Sequence, residues 1–458
     1  MNLNFKLQIK RIFKLLGIDL AVAFVLLGRG WGIVAGLVNV LLISKFLGSA
    51  EQGYFYTFSS IVALQIFFEL GLSVVISQFA SHEMANLTWS RAIGLSGTQE
   101  AKERIFSLIK FSVKWYGIIA PALFIVVAPL GIFFFSTGKP DFGPQIAWHS
   151  PWIALVLFSS INLFLSPIIC VAEGIGLVAD VAKMRLVQAV VGSCLLWSTL
   201  TLNLGLLSVA VMPATICLVS TLWIKNNFAV LVREALKTPT SEYKISWRRE
   251  IFPMQWRIAI SWLCGYLIFQ LFTPIAFRFH SAEIAGQLGM SIAIATAMST
   301  VAMSWVVTKM PTLGKLISSN KINEANQLHK RASLQSTAVI VVLALLLTLA
   351  VWLLPNIAPG LASRILPIRD FASLGVAAVA NHIIFCQASY VRAFKTEKYL
   401  SHAVIMASAV VAVCGTLGVK GTVSWMLTGY AGIMSILGVA TSFYIFYSFR
   451  RSLNLKIT

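Results

Sequence analysis

The sequence predicts an all-α polytopic membrane protein of about 12 transmembrane helices in two six-helix lobes, with N- and C-termini cytoplasmic. Three observations carry this. Hydrophobic residues make up 58% of the 458-residue chain and charged residues only 11%, with a mean hydropathy of +0.83, far from the composition of water-soluble domains. Apolar stretches of spanning length recur along the whole chain and leave little length for an aqueous domain. Lysine and arginine fall at alternate connections between those stretches, as the positive-inside rule requires.

In chain order, the apolar stretches read at roughly 18–43, 54–79, 112–135, 151–172, 186–204, 206–226, 256–278, 284–308, 334–354, 371–391, 400–418 and 422–447. Residues 1–17 are basic and run straight into the first stretch without a small-x-small cleavage site, which reads as a retained first helix. Two short spans meet in a tight turn near Asn203–Gly205, the least distinct boundary in the chain. Charge resolves it in favour of two helices. The inner connections hold Lys6, Lys10, Arg11 and Lys14; Arg91, Lys102, Arg104, Lys110 and Lys114; Lys183 and Arg185; Lys225, Arg233, Lys237, Lys244, Arg248, Arg249 and Arg257; Lys309, Lys315, Lys321, Lys330 and Arg331; Arg392, Lys395 and Lys398; and Arg450, Arg451 and Lys456. The outer ones hold only Lys45, Lys139, Arg278, Arg364, Arg369 and Lys420. An odd number of spans would destroy this alternation.

The formal charge of +20 therefore reflects topology, and with its bases scattered over short segments the chain has no compact basic domain for a duplex. Nucleic acid is not expected as a partner. The inner face suits anionic membrane lipid or a phosphate-bearing lipid substrate. Cys170, Cys194, Cys217, Cys264, Cys386 and Cys414 all lie in apolar stretches without metal-ligand or disulfide spacing and read as small packing residues. No cofactor or metal is expected.

The chain also repeats itself. Ser49-Ala50-Glu51 after the first span and Ser281-Ala282-Glu283 after the seventh stand at equivalent outer, helix-opening turns, an offset near half the chain. Ser49 and Ser281 are the expected N-caps, with Glu51 and Glu283 near the positive end of each helix. Six spans per half keep both halves in one orientation, a parallel repeat. The expected organisation is an N-terminal lobe over 1–226, a cytoplasmic interfacial linker over 227–255 and a C-terminal lobe over 256–458. In the linker, Phe228 to Leu236 is apolar with Arg233 and Lys237 on its polar side, Thr238-Pro239-Thr240 breaks it, and Trp247, Arg248, Arg249 and Trp256 read as an interfacial stretch, either a tether lying on the inner surface or a partner-binding site.

The stretch from Leu41 to Ser81 resembles the first helix pair of bacterial polysaccharide flippases of the O-antigen (Wzx) type, in the multidrug/oligosaccharidyl-lipid/polysaccharide (MOP) exporter superfamily. The matching residues are Leu47, Gly48, Glu51, Gly53 and, one position early, Tyr54 in the outer turn; Glu69-Leu70-Gly71-Leu72 in the second span; and Pro253-Met254-Gln255-Trp256-Arg257 opening the second half. The resemblance implies two six-helix lobes around a central cavity that opens alternately to each side. It implies a flippase carrying undecaprenyl-pyrophosphate-linked oligosaccharide to the outer leaflet of a bacterial cytoplasmic (inner) membrane, for O-antigen, lipopolysaccharide or another surface polysaccharide, with a polysaccharide polymerase as candidate partner. The family's cavity is often cationic, whereas here Arg29 is the single basic residue deep in a span.

A charge at mid-membrane costs at least ~2.5 kcal/mol on insertion scales, so Arg29 and Glu69 are expected to face a cavity or a partner. Counted from the inner ends of their spans, both lie about 14–15 Å deep, which would bring them level on adjacent antiparallel helices. They read either as an ion pair fixing helix packing or as lumen groups, Arg29 for phosphate and Glu69 for a proton. Gly28, Gly30 and Gly32 around Arg29 and Trp31 would admit a close helix neighbour or loosen the first span. Gln65, Gln270, Asn381 and His382 are further lumen candidates, each with the alternative of bonding a neighbouring helix. Pro121, Pro129, Pro167, Pro213 and Pro274 mark kinks. Lys309 and Arg392, at inner helix ends, read as snorkelling topology charges or a phosphate entry site.

No phosphate-cradling Gly-rich loop, His-x-x-x-His, Cys-x-x-Cys or serine-nucleophile motif occurs, so an ATP-driven pump in one chain is excluded and a transporter rather than an enzyme is expected. The competing readings are a cation-coupled multidrug exporter of the same superfamily and a membrane transferase or polymerase. The first would normally place acidic residues mid-membrane, where only Glu69 qualifies; the second needs a long outer loop that the chain lacks.

Overall fold

The computed structural model describes residues 20–90, 94–137, 146–239, 245–394 and 396–457. Lys6, Lys10, Arg11, Lys14, Arg91, Lys139, Lys244 and Lys395 lie outside them. The protein is an all-α polytopic membrane protein. Helix α1 runs Leu20–Phe46. The second span is built from α2 (Ser49–Val62), a 3-10 turn at Ala63–Gln65, α3 (Ile66–Glu69) and α4 (Leu72–Glu83), bent by 48°. Leu70 and Gly71 cause the break, standing in succession at φ 49° and 69° in the left-handed region that ends a helix.

A short antiparallel hairpin follows, β1 (Leu87–Ser90) against β2 (Gly94–Gly97), with Leu87 opposite Gly97. It was not visible as a strand pattern in so short a polar segment. Then come α5 (Gln99–Ser136), α6 (His149–Gly174), α7 (Val178–Thr201) and α8 (Ser208–Asn227). The turn between α7 and α8 uses Asn203 and Gly205 at positive φ, as expected from its composition. Helix α9 (Ala229–Lys237) and a π-turn at Trp247–Ile251 occupy the linker.

The remainder comprises α10 (Phe252–Phe269), α11 (Phe272–Phe279), α12 (Ala282–Val307), α13 (Met310–Ser318), α14 (Ile322–Ile357), α15 (Pro359–Ala362), α16 (Ile368–Ala393), α17 (Leu400–Val413), α18 (Val423–Ile433) and α19 (Val439–Ile457). Two π-helical turns, Cys414–Gly418 and Met434–Gly438, follow α17 and α18. Pro121, Pro129, Pro167 and Pro213 lie inside continuous helices. Pro274 follows the 43° break between α10 and α11. Among the described residues, nine helices are long and apolar enough to cross a membrane, and the two bent pairs bring the number to eleven. Helix α7, 24 residues long and opening with Asp180, Lys183 and Arg185, is of spanning length as well.

The chain folds into two compact units that are discontinuous in sequence. The first comprises 1–35, 65–132 and 147–259; the second comprises 36–64, 133–146 and 260–458. In the first, α6 packs on α4 and α8, and α7 packs on α8. Trp152 is its largest fully buried side chain and donates from Nε1 to the Ala128 carbonyl at 2.9 Å. In the second, α2 packs on α12, and α12, α14 and α16 form successive contacts.

The two Ser-Ala-Glu copies meet inside this second unit. Ser49 Oγ donates to Glu283 Oε1 at 3.0 Å, and Gln52 Nε2 donates to the Gly286 carbonyl at 2.8 Å. Ser281 caps α12 by accepting from Ile284 N, as expected. Ser49 does not cap α2: Gly48 holds that position and its N–H donates to Glu51 Oε2 at 2.7 Å, so Ser49 is released to cross to Glu283.

Candidate functional site

Each unit contains a cavity of its own. That of the first unit, about 310 Å³, is lined by Gln65, Glu69, Ser73, Asn162, Ser166, Cys170, Arg185, Gln188 and Ser220, among others. The 3-10 turn and the short α3 place Gln65 and Glu69 one turn apart on the same wall. Glu69 lies beside Ser73 and Tyr116. Asn162 Nδ2 donates to the Pro213 carbonyl at 2.8 Å, which leaves its Oδ1 buried without a partner, as is the Ser166 hydroxyl. Gln188 Nε2 donates to Ser220 Oγ at 2.8 Å, and Arg185 pairs with Glu173 at 2.9 Å. The chamber therefore offers acceptor oxygens around one carboxylate, a chemistry suited to a proton, a cation or a polyhydroxylated group.

Arg29 does not join it. Among the described residues Arg29 makes no ion pair, and its side chain is exposed. Trp31 fixes the rotation of α1: its Nε1 donates to the Ala189 carbonyl at 3.2 Å and to Ser193 Oγ at 3.3 Å, and its ring lies 5.8 Å from that of Trp197. Two residues back along a helix is about 200° around the axis, so Arg29 points away from α7. Of the two readings of the glycines, a close helix neighbour is not found among the described residues: a Cβ added at Gly28, Gly30 or Gly32 would meet nothing within 4 Å.

The cavity of the second unit, about 520 Å³, is lined by Ser261, Gln270, Thr296, Thr300, Asn381, Arg392, His402 and Tyr430 among many apolar groups. Asn381 Nδ2 donates to Tyr430 Oη at 3.0 Å. Met434, which opens one of the π-turns, reaches the same wall; single π-turns inside helices occur often at functional sites. His382 is not part of this lining. It sits about 100° around α16 from Asn381, fully buried, with Nε2 2.7 Å from Ser336 Oγ. Ser336 gives its one hydroxyl proton to the Ala302 carbonyl at 2.5 Å, so His382 is the donor to Ser336 and ties α16 to α14 and α12.

Of the sequence candidates, the fold thus brings together Gln65 with Glu69, and Gln270 with Asn381, in separate units; Arg29 stands apart, and His382 serves packing. Asn162, Ser166 and Gln188 were missed, although Asn162 and Ser166 at i, i+4 within an apolar span were a readable signal. Arg392, at the inner end of the second cavity, pairs with Glu397 at 3.3 Å, an exposed pair of small energetic weight.

No family model matches the chain, and no curated protein matches it. Solved structures do. The lipid II flippase MurJ in an inward closed conformation superposes with a TM-score of 0.59 at 13% identity, covering 93% of this chain and 87% of that one. An outward-facing multidrug resistance MATE family transporter of the MOP superfamily gives 0.56 at 13% identity, covering 96% and 98%. A MOP superfamily transporter from Pyrococcus furiosus, described as having a binding pocket of reversed polarity, gives 0.53 at 13% identity, covering 94% and 95%. Nearly the whole chain therefore shares the fold of the transporters of the MOP superfamily.

Proposed function

We propose that this protein is a membrane transporter that flips a polyprenyl-pyrophosphate-linked oligosaccharide from the inner to the outer leaflet of a bacterial cytoplasmic membrane by alternating access. The observation that carries the reading is Arg29, a guanidinium held within an apolar span, exposed and without a carboxylate partner among the described residues, on a helix whose glycines leave open space around it. Such a group is costly in lipid unless it meets an anion or water, and its fork matches phosphate oxygens. The amide and hydroxyl groups of Gln65, Asn162, Gln188, Gln270 and Asn381 supply the hydrogen-bonding chemistry a sugar headgroup needs. The fold is that of transporters, including a lipid II flippase.

The test is inner-to-outer delivery of radiolabelled lipid-linked oligosaccharide in cells deleted for the gene and complemented with wild type or Arg29→Ala. Wild type is expected to restore delivery and Arg29→Ala to leave the carrier on the inner leaflet. Normal delivery in the deleted cells would remove this assignment. A second reading, a cation-coupled multidrug exporter, is favoured by Glu69, a carboxylate in a polar chamber with no basic partner among the described residues. It predicts altered drug tolerance in the same deleted cells.

A further inference from the structure

The linker docks on the inner end of α5 and sorts its charges as it does so. Glu234 pairs with Lys102 at 2.9 Å and Glu250 with Arg104 at 2.6 Å. Ile245 N donates to Ser107 Oγ at 3.1 Å, and Lys110 donates to the Thr238 carbonyl. Four positions within three turns of one helix thus hold both described parts of the linker. The two acids among the linker's described residues, Glu234 and Glu250, are turned toward the protein. Arg233, Lys237, Arg248 and Arg249 are turned outward, exposed and without ion-pair partners among the described residues.

Large apolar groups are interleaved with those bases. Val230 is 79% exposed, Leu236 48% and Trp256 40%. On α9 the split follows the helical period: Leu231 and Ala235 are buried, while Val230, Arg233 and Lys237 at i, i+3 and i+7 share the outward face. Neither water nor a protein partner suits this pattern. Water disfavours the apolar groups, and the buried centre of a protein interface is depleted of charge, whereas here bases and apolar groups alternate singly. A surface that is anionic at headgroup level and apolar just beneath fits both at once.

We propose that the outward face of the linker, residues 230–237 and 248–256, binds anionic phospholipid of the inner leaflet, its arginines and lysine on headgroup phosphates and its apolar residues at the acyl boundary. The site is independent of the transported substrate. Full-length protein in nanodiscs of equal parts phosphatidylglycerol and phosphatidylcholine, released into native mass spectrometry, should retain phosphatidylglycerol preferentially. Arg248→Gln with Arg249→Gln should lower that retention about fivefold per arginine removed and leave phosphatidylcholine unchanged, while Lys315→Gln with Lys321→Gln should have no such effect. Equal loss in both pairs, or none in the first, overturns the proposal. Should the first pair fold poorly, a photo-crosslinking residue at Val230 in the otherwise unaltered chain decides: a phospholipid adduct supports the site, and a protein adduct or none overturns it.

Discussion

Arg29 and Trp31 are two residues apart on α1, and that separation divides their roles. Trp31 bonds α7, whereas Arg29, about 200° around, is left exposed. Truncating an exposed side chain should change stability by less than about 0.5 kcal/mol. Arg29→Ala is therefore expected to express and melt like wild type yet lose delivery of the lipid-linked substrate, with Arg29→Lys retaining part of it; a parallel loss of expression would instead make Arg29 structural. His382 gives the opposite pattern. Its ring is fully buried and bonded to Ser336, so His382→Ala should destabilise by about 1–3 kcal/mol through the lost hydrogen bond to Ser336 and the space left behind. Transport per folded molecule should be unchanged. Thermal unfolding in detergent, paired with transport normalised to folded protein, separates the two.

At the scale of elements, the glycines of α1 and the single glycine of α2 behave differently. Gly53 on α2 lies so near α12 that an added Cβ would stand 1.9 Å from the Ala282 carbonyl oxygen, backbone against backbone, so neither side can turn aside. Gly53→Ala should cost about 1–3 kcal/mol as overpacking and lower the melting temperature, whereas Gly28→Ala should cost nothing. Equal tolerance of both would contradict the close crossing of α2 and α12. The linker's docking has a pH dependence whose sign follows from Glu250. Burial acts to raise its pKa, but the Ser246 N–H and the Arg104 guanidinium outweigh burial and hold it below the ordinary carboxylate value. A depressed folded pKa means that the contribution is complete above the unfolded pKa and is lost as pH falls through the folded value. Limited proteolysis of the linker should accelerate in acid and stay slow at neutral pH, and Glu250→Gln should make cleavage faster at neutral pH and nearly insensitive to acid. The pair is half-exposed, so the effect should be modest and weaken with salt.

For the whole molecule, compact units and stretches of sequence do not coincide. Residues 36–64 belong with the second unit through the packing of α2 on α12, while 245–259 belong with the first. Cutting the chain at a protease site inserted within residues 240–244 should therefore leave the fragments together in mild detergent, because each unit contains segments from both sides of the cut. Fragments that separate on size-exclusion chromatography would argue for lobes divided as the sequence suggested, at 226 and 256.

The sequence by itself determined the class, the spans and their alternating charge, because hydrophobic thickness and the cost of moving lysine and arginine across a bilayer act on local composition. It also placed Ser281 as a cap and related the two Ser-Ala-Glu turns as a repeat, since capping and repetition are local patterns, whereas Ser49, equally expected as a cap, bonds Glu283 instead. Depth along a helix was legible, but the direction of a side chain was not. The level placement of Arg29 and Glu69 assumed straight helices in a known rotation. Leu70 and Gly71 break the second span just past Glu69, and Trp31 sets the rotation of α1. Likewise Asn381 and His382 are neighbours in sequence, and only the packing of α16 against α14 and α12 decided that one lines a cavity while the other is buried. Azimuth, breaks between helices and the composition of each unit arise from contacts between residues far apart in the chain, and no local pattern encodes those.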